Sequence, residues 1–210
     1  MSLHASALAQ LDRALHALAA PPTAHAWNLE EMHGLLDPAA TLKEAAVLVG
    51  LVDRPEGAQV LLTRRTDILR HHAGQVSFPG GRLEPDDDGP VGAALRETQE
   101  EIGVGPELVT PLGFLDPLAT ITGFRVVPVV ARVAPSYLAQ PEPGEVAEVF
   151  EVPLVFLMAP DNLVSRDIEF QGHRRRILEF VERTDSRRRI WGVTASILYN
   201  LRERLVTVRN

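Results

Sequence analysis

The chain has 210 residues, of which 45% are hydrophobic and 23% charged, a balance typical of one globular domain with a substantial core. Its formal net charge is −7, from 28 acidic and 21 basic residues, which argues against a general nucleic-acid binder because such proteins usually carry a basic excess. The absence of cysteine excludes disulfides, thiolate metal sites and a cysteine nucleophile, and with the acidic balance it predicts a cytoplasmic small-molecule enzyme whose acidic site binds cations.

The N-terminal segment spaces its leucines at near-helical intervals, which predicts an amphipathic helix over residues 3–19 that ends before Pro21. We expect this helix to cover the core or a partner subunit, which leaves a homodimer open. Charged residues interrupt it and no basic segment precedes it, unlike a secretory signal. No apolar run reaches the ~20 residues of a membrane span, so no membrane contact is expected. Residues 1–43, including a loop with a short helical turn, are interpreted as an extension to a domain of residues 44–210.

Helix and strand patterns follow one another through the domain. Apolar runs at 45–52 and 58–63 flank the turn signal "DRPEG" and predict a β-hairpin. Further patterns predict, in chain order, a helix over 90–102, strands over 109–115 and 124–133, an acidic loop over 140–153, a short helix over 153–158, a strand over 174–182 and a helix over 193–205. Strands around one central helix, with another helix at the end, indicate a mixed α/β layered domain.

Three glutamates crowd the central predicted helix. Glu97, Glu100 and Glu101 share one face, because an α-helix turns about 100° per residue. Arg96 lies four residues before Glu100, which allows one ion pair, whereas Glu97 and Glu101 are expected to lack a local cationic partner. Their repulsion costs free energy unless a cation offsets it. Carboxylate oxygens are the ligands that Mg²⁺ and Mn²⁺ prefer, so the helix predicts a divalent-metal site.

Two adjacent glycines precede this helix. Gly80 and Gly81 allow a tight turn and the close approach of a ligand to the backbone. Mg²⁺ is commonly shared between protein carboxylates and substrate phosphates. A glycine turn that leads into a carboxylate helix therefore predicts metal-assisted chemistry on a phosphate ester or anhydride.

The segment that begins at Gly81 resembles the Nudix box, G-x5-E-x7-R-E-U-x-E-E-x-G-U, in which U is aliphatic. The stretch "RETQEEIGV" matches the box from its arginine onward except at Thr98, which stands at an aliphatic position. The loop before it carries one extra residue. Either Asp87 replaces the first glutamate, with eight residues between it and Arg96, or Asp88 replaces it and the insertion lies earlier.

A second segment, "LLTRRTDILRHHAGQVSFPGG" at 61–81, resembles the motif L-L-T-x-R-[SA]-x3-R-x3-G-x3-F-P-G-G of the coenzyme A pyrophosphatase branch of that family. Thr66 stands where serine or alanine is expected, and the other defined positions match. Residues 190–198 also look like the entry to the C-terminal helix of this branch. The resemblance covers residues 44–205 and leaves the N-terminal helix outside it.

The resemblance implies a Nudix-type α/β/α sandwich with a mixed sheet. It implies metal-dependent hydrolysis of the diphosphate of coenzyme A (CoA), or of its thioesters or oxidised form, to 3′,5′-ADP and 4′-phosphopantetheine. By the same resemblance, Glu97, Glu100 and Glu101 bind Mg²⁺ or Mn²⁺, with Glu97 and Glu101 as the firmest ligands. Arg96 is then expected to orient Glu97 or Glu100 without binding the metal.

The remaining site residues are a general base and contacts to the substrate phosphates. Glu145, in the acidic loop, is the first candidate for the base, and Glu148 is the second. The candidate phosphate contacts are Arg65, Arg70, Gly80 and Gly81. Guanidinium donors form a fork that suits phosphate oxygens. Arg70 is the first choice for the 3′-phosphate, and the sequence leaves open Arg64, Arg65, His71 and the arginines at 174–176.

Two alternatives to a CoA pyrophosphatase stay open. One is a Nudix hydrolase of another nucleoside diphosphate derivative, such as ADP-ribose, and the 61–81 segment favours CoA over it. The other is a non-catalytic Nudix protein that senses a nucleotide. The presence of all three box glutamates favours an enzyme over such a sensor.

Overall fold

The computed structural model describes residues 5–32, 34–37, 41–69, 72–170, 172–181 and 186–208. The helices in these ranges are α1 (Ala5–Ala14), α2 (Gly89–Ile102), α3 (Leu154–Met158) and α4 (Gly192–Thr207). The strands are β1 (Lys43–Arg54), β2 (Gly57–Arg65), β3 (Val76–Ser77), β4 (Gly80–Arg82), β5 (Val109–Phe114), β6 (Leu118–Ala119), β7 (Phe124–Val133), β8 (Val146–Pro153), β9 (Leu163–Phe170) and β10 (His173–Phe180). Within the described ranges, no helix is long and apolar enough to span a bilayer.

The main sheet is mixed and is organised around β1. The predicted β1–β2 hairpin is confirmed, with a turn of only Pro55 and Glu56 because Arg54 already pairs with Gly57. On its other side β1 runs parallel to β7, and the strand order is β3-β2-β1-β7-β5. In addition, β4 pairs with β1, β6 with β7, and β8 with β2.

A second, two-stranded sheet is formed by β9 and β10. The strand predicted at 174–182 is confirmed as β10. Its partner β9 was not predicted, because the stretch "LVSRDIEF" lacks the regular alternation of apolar and polar residues that marks a half-buried strand.

Helices cover both faces of the main sheet. Successive side chains of a strand point to opposite faces, and β1 is buried on both from Leu48 to Val52. Two buried clusters lie on opposite sides; their helical members include Leu11, Leu157 and Leu198 on one side, and Ala93, Ala94 and Ile102 on the other. The predicted α/β/α sandwich is confirmed. Two-sided burial also explains why β1 reads as a continuous apolar run.

The N-terminal helix is shorter than predicted. It ends at Ala14, because His16 leaves the helix and exchanges two backbone hydrogen bonds with Phe114 of β5, at 2.9 and 3.0 Å. The guanidinium of Arg204 in α4 donates to the carbonyl oxygen of Ala14 and to both carboxylate oxygens of Asp116, the latter at 2.8 and 2.9 Å. The prediction of a longer helix was wrong because these tertiary hydrogen bonds outweigh the local leucine spacing.

The segment after α1 is tied to the edge of the sheet. The side-chain amide of Asn28 donates to the carbonyl of Ala119 at 2.9 Å and accepts from its N–H at 2.7 Å, so both polar ends of this buried side chain are satisfied. Arg125 of β7 donates to the carbonyl of Pro22 at 2.6 Å. Directly after Asn28 lies the short helical turn that the sequence predicted, a 3-10 turn at Leu29–Met32.

The acidic stretch at 140–153 is a loop only in its first half. From Val146 onward it forms β8, antiparallel to β2, so the prediction of a loop throughout was wrong. Val146, Phe150 and Val152 are buried at positions of the same parity. The glutamates between them obscured this period-two signal in the sequence.

Candidate active site

The helix α2 buries one side, which includes Glu101, and presents Glu97 and Glu100 beside it. Pro90 lies in its first turn, where a missing N–H leaves no hydrogen bond unmade, and Gly103 ends it in a left-handed conformation with φ of 67°. The buried members are Ala93, Ala94, Thr98, Glu101 and Ile102. Thr98, the departure from the aliphatic pattern, donates its hydroxyl to the carbonyl of Ala94 at 2.6 Å, so its polar group is satisfied within the helix. The predicted helix is confirmed.

The two glycines of β4 lie directly beside the carboxylates of α2. A Cβ atom at Gly81 would overlap the carboxylate of Glu97, so only glycine leaves room for that side chain. Gly80 has φ of +152°, and a Cβ there would overlap the carbonyl of Ala46 in β1. The N–H of Gly80 points to Oε2 of Glu101 at 3.4 Å. The glycines therefore bring the backbone of β4 against Glu97 and Glu101, and their contact with substrate stays a prediction.

Electrostatic strain is concentrated at Glu101 and Glu97. Burial raises the pKa of Glu101 to about 7; the charge of Arg65 lowers it, and the charges of Glu97 and Glu145 raise it. Burial likewise raises the pKa of Glu97, against the hydrogen bond and charge of Arg96. Glu145 acts on both carboxyls although it lies more than forty positions away in the printed sequence. The fold thus brings Glu145 into the electrostatic neighbourhood of the α2 acids.

Arg96 is the cationic centre of this group. Its Nη1 donates to Oε1 of Glu97 at 2.9 Å and to Oε2 of Glu100 at 3.1 Å. The expectation that Glu97 lacks a local partner was therefore wrong, because an adjacent arginine reaches it. Glu101 also has a cationic neighbour, since Nη1 of Arg65 lies 3.8 Å from its Oε1, beyond hydrogen-bonding distance.

The acid that meets Arg96 from the preceding loop is Asp87. Nε and Nη2 of Arg96 donate to its two carboxylate oxygens at 3.0 and 3.1 Å, and these bonds lower the pKa of Asp87. Asp88 directly precedes α2 and makes no side-chain capping bond. Of the two alignments of the Nudix box, the one through Asp87 therefore aligns the first acid of the box with the residue that binds Arg96.

The motif at 61–81 places Arg65 at the end of β2, beside Glu101. Its Nε is buried and makes no hydrogen bond to any part of the protein that the structure describes. Arg64 instead pairs with Asp67 at 2.9 Å. Gly74, with φ of +67°, lies so close to Asp67 that an added Cβ would be 2.7 Å from Oδ1. Arg70, predicted to bind substrate, and the neighbouring candidate at position 71 lie outside the described residues.

The two candidate bases have different surroundings. Glu145 is exposed, immediately before β8, and forms no ion pair within the described ranges. Glu148 accepts a short hydrogen bond from Nη2 of Arg188, whose guanidinium also lies over the ring of Phe150, 4.7 Å from its centroid. Sequence reasoning missed Arg188, because a contact across forty positions leaves no local signal. Its ion pair engages Glu148 and leaves Glu145 as the better candidate.

The donor set suits a divalent cation by its chemistry. Among the residues with described positions, no three His, Asp or Glu side chains are arranged to hold a metal ion. Glu100, with 59% of its side chain exposed, turns to Arg96, whereas Glu97 and Glu101 lie against β4. All the donors are hard carboxylate oxygens, and the raised pKa values of Glu97 and Glu101 reflect burial and repulsion that a cation would offset. Ligation by the three glutamates stays a prediction.

Comparisons with known proteins point to one family. The NUDIX domain family matches residues 42–180. The uncharacterised Nudix hydrolase NudL of Pectobacterium atrosepticum is 40% identical over 188 residues, which cover 86% of this chain and 95% of that protein. NudL of Cronobacter sakazakii is 41% identical over 160 residues, covering 76% of this chain and 81% of that protein.

Solved structures resemble the chain over a smaller part of its length. The Nudix hydrolase RenU of M. Smegmatis has 28% sequence identity and a TM-score of 0.47, and the likeness covers 54% of this chain and 71% of that one. The family match and the two NudL relatives carry the assignment. This chain belongs to the Nudix family, and it is an enzyme that hydrolyses a phosphoric anhydride in a nucleoside diphosphate derivative.

Proposed function

We propose that the protein is a metal-dependent pyrophosphohydrolase of CoA, or of its thioesters or oxidised form, releasing 3′,5′-ADP and 4′-phosphopantetheine. One observation carries this proposal: two residues of the 61–81 segment, one near its beginning and one at its end, lie beside the carboxylates of α2. Arg65, near its beginning, lies 3.8 Å from Glu101, and Gly81, at its end, lies directly against Glu97. A motif specific to substrate is expected at the reacting centre, and this contact supports that interpretation.

The α2 acids are the proposed holders of Mg²⁺ or Mn²⁺. Glu97 and Glu101 are the main ligands and Glu100 is the third. When bound, a divalent cation offsets the negative charge of the diphosphate and lowers the pKa of water. Arg96 positions Glu97 and Glu100 through its hydrogen bonds to both, and its own position is set by Asp87.

The other residues act on the substrate and on a proton. Arg65, whose side chain is 26% exposed beside Glu101, binds phosphate oxygens through its guanidinium. Water attacks one phosphorus while the bond from that phosphorus to the bridging oxygen breaks, and Glu145 accepts the proton of the water. Glu145 is preferred to Glu148 because the ion pair with Arg188 already engages Glu148.

The proposal is tested by incubating the purified protein with CoA and Mg²⁺ or Mn²⁺ and measuring 3′,5′-ADP by chromatography. We expect metal-dependent release that is faster than cleavage of ADP-ribose or NADH under the same conditions. A chelator should abolish release, and added Mg²⁺ or Mn²⁺ should restore it. Equal or faster cleavage of ADP-ribose would contradict the CoA assignment and favour another nucleoside diphosphate derivative.

A further inference from the structure

The loop that carries Glu145 is attached to the C-terminal end of α2. The N–H of Gln140 donates to the carbonyl of Ile102, and the N–H of Glu142 donates to the carbonyl of Glu101, both at 2.8 Å. The last carbonyls of a helix have no partner inside it, so the loop satisfies groups that α2 leaves open. One side of the loop is therefore held in register with the helix that carries the metal-site acids.

The other side of the loop is attached to Thr66, which directly follows β2. The N–H of Thr66 donates to the carbonyl of Glu145 at 2.9 Å, and its Oγ1 donates to the carbonyl of Gly144 at 3.3 Å. Thr66 is itself buried, with 8% of its surface exposed, so packing restricts its movement. A single side chain thus bonds the peptide unit immediately before Glu145.

Packing does not hold this part of the loop. Residues 141–145 are all exposed, and a Cβ placed at Gly144 would meet only Oε1 of Glu142, at 3.6 Å. Glycine also allows more backbone conformations than any other residue. The N–H of the Gly144–Glu145 peptide bonds the carbonyl of Glu142, within the loop, and the hydroxyl of Thr66 is what ties the carbonyl of this peptide to β2.

We propose that the Thr66 hydroxyl is a positioning group for diphosphate cleavage, which holds the Gly144–Glu145 peptide so that the Glu145 carboxylate is directed at the acids of α2. This inference rests on the proposed role of Glu145 as general base. Threonine is the departure from the serine or alanine of the 61–81 motif. Threonine and serine both carry the hydroxyl that bonds the carbonyl of Gly144, whereas alanine at this position would lose that hydrogen bond.

The kinetic test compares Thr66→Val, which keeps the shape and removes the hydroxyl, with Thr66→Ser, which keeps the hydroxyl. We expect Thr66→Val to lower kcat for CoA about tenfold, because small misplacement of a reacting group costs rate steeply. KM should change less than about twofold, and Thr66→Ser should stay within about twofold of wild type. Thr194→Val is the matched control, since that buried hydroxyl also donates to a backbone carbonyl, that of Val76 at 2.9 Å, which is not part of the loop.

A double-mutant cycle separates positioning from general destabilisation. In a Glu145→Gln background, Thr66→Val should cause no further loss of kcat, because the group that it positions is already gone. The same tenfold loss in that background, a kcat of Thr66→Val equal to wild type, or an equal loss in Thr194→Val would each overturn the proposal. So would a Glu145→Gln variant with wild-type kcat.

Amide hydrogen exchange tests the attachment without any substrate. The N–H groups of Glu145 and Val146 both bond the carbonyl of Glu142, at 3.0 and 2.9 Å, and report on the loop. Thr66→Val should raise their exchange rates about tenfold while those of Gln140 and Glu142 stay unchanged. Unchanged exchange at Glu145 and Val146 would overturn the attachment. A wild-type protein that leaves CoA intact would overturn the proposed substrate instead, and the exchange result would still decide whether Thr66 holds the loop.

Discussion

Two clusters of arginine and carboxylate differ in how their charges are matched. Away from the site, Glu151 of β8 accepts two hydrogen bonds from Arg54, at 2.6 and 3.0 Å, and one from the hydroxyl of Tyr137 at 2.7 Å. Burial would raise the pKa of Glu151, but these bonds outweigh it and hold the pKa below its ordinary value. This carboxylate is fully satisfied by the fold.

Glu101 presents the opposite case. Its burial raises its pKa to about 7, and its arginine neighbour Arg65 stays too far away for a hydrogen bond. Glu97 and Glu145 add negative charge to the same region. Burial and repulsion at Glu101 oppose folding, whereas the hydrogen bonds of Glu151 offset its burial. Groups that the fold leaves unsatisfied are characteristic of functional sites, and here a cation is what would satisfy them.

The substitution Glu101→Gln tests the unsatisfied cluster directly. We expect a loss of CoA cleavage of about 100-fold or more, because a main ligand and its charge are removed. The melting temperature without added metal should stay equal or rise, since the amide removes a buried charge and its repulsion. A variant with near-wild-type turnover at saturating Mn²⁺ would remove Glu101 from the site.

The substitution Glu151→Gln tests the satisfied cluster in the opposite direction. It keeps the size of the side chain and removes the charge that Arg54 binds, so we expect unfolding to become easier by about 2 kcal/mol. CoA turnover should change less than about twofold, because this cluster touches no proposed catalytic group. Denaturant unfolding and the CoA assay measure the two effects. A loss of turnover without a loss of stability would reverse the assignment.

Gly81→Ala tests whether the glycine beside Glu97 is needed to leave room for the Glu97 carboxylate. The added methyl group would displace the Glu97 carboxylate, so we expect kcat to fall about tenfold. The control is a separate variant, Gly92→Ala, because a Cβ there meets only ordinary contacts at 3.4 Å and farther. That control should keep its activity and gain helix stability of about 0.5–1 kcal/mol. Equal kcat values for both variants would contradict the steric argument.

Asp116 is another acid whose hydrogen bonds are made within the protein, and we expect it to make the free energy of unfolding depend weakly on pH. Burial would raise its pKa, but hydrogen bonds from His16, Asn200 and Arg204 outweigh it and lower the pKa. A lowered pKa contributes stability above the unfolded-state value, about pH 4, and that stability is lost as pH falls through the folded-state pKa.

Asp116→Asn therefore should cost about 1 kcal/mol at pH 7, after solvent screening of a side chain that is 30% exposed. The difference from wild type should shrink as the solution is acidified below about pH 4. Denaturant unfolding at several pH values measures it. A difference that stays constant with pH would show that Asp116 stabilises the protein through packing alone.

Much of the fold was predictable because its signals are local. The β1–β2 hairpin, α2 and α4 follow from apolar spacing and from turn residues next to them in the chain. Two of the misses, β8 and the end of α1, are places where pairing with a distant strand decides the conformation. The third, β9, pairs with its neighbour β10 and was missed because its sequence lacks a regular alternation. At Leu15 and His16 the helical pattern continues in the sequence, but pairing with Phe114 ends the helix.

For the site, local sequence was enough to predict which acids share a helical face and that glycines precede them, because helix periodicity and glycine's freedom are properties of the local backbone. The partner of each acid follows instead from the fold. Arg65 beside Glu101, Arg188 on Glu148 and Asp87 on Arg96 depend on strand order and loop path. A carboxylate's spacing is set by its neighbours in the chain, whereas its charge environment is set by groups that folding brings from elsewhere.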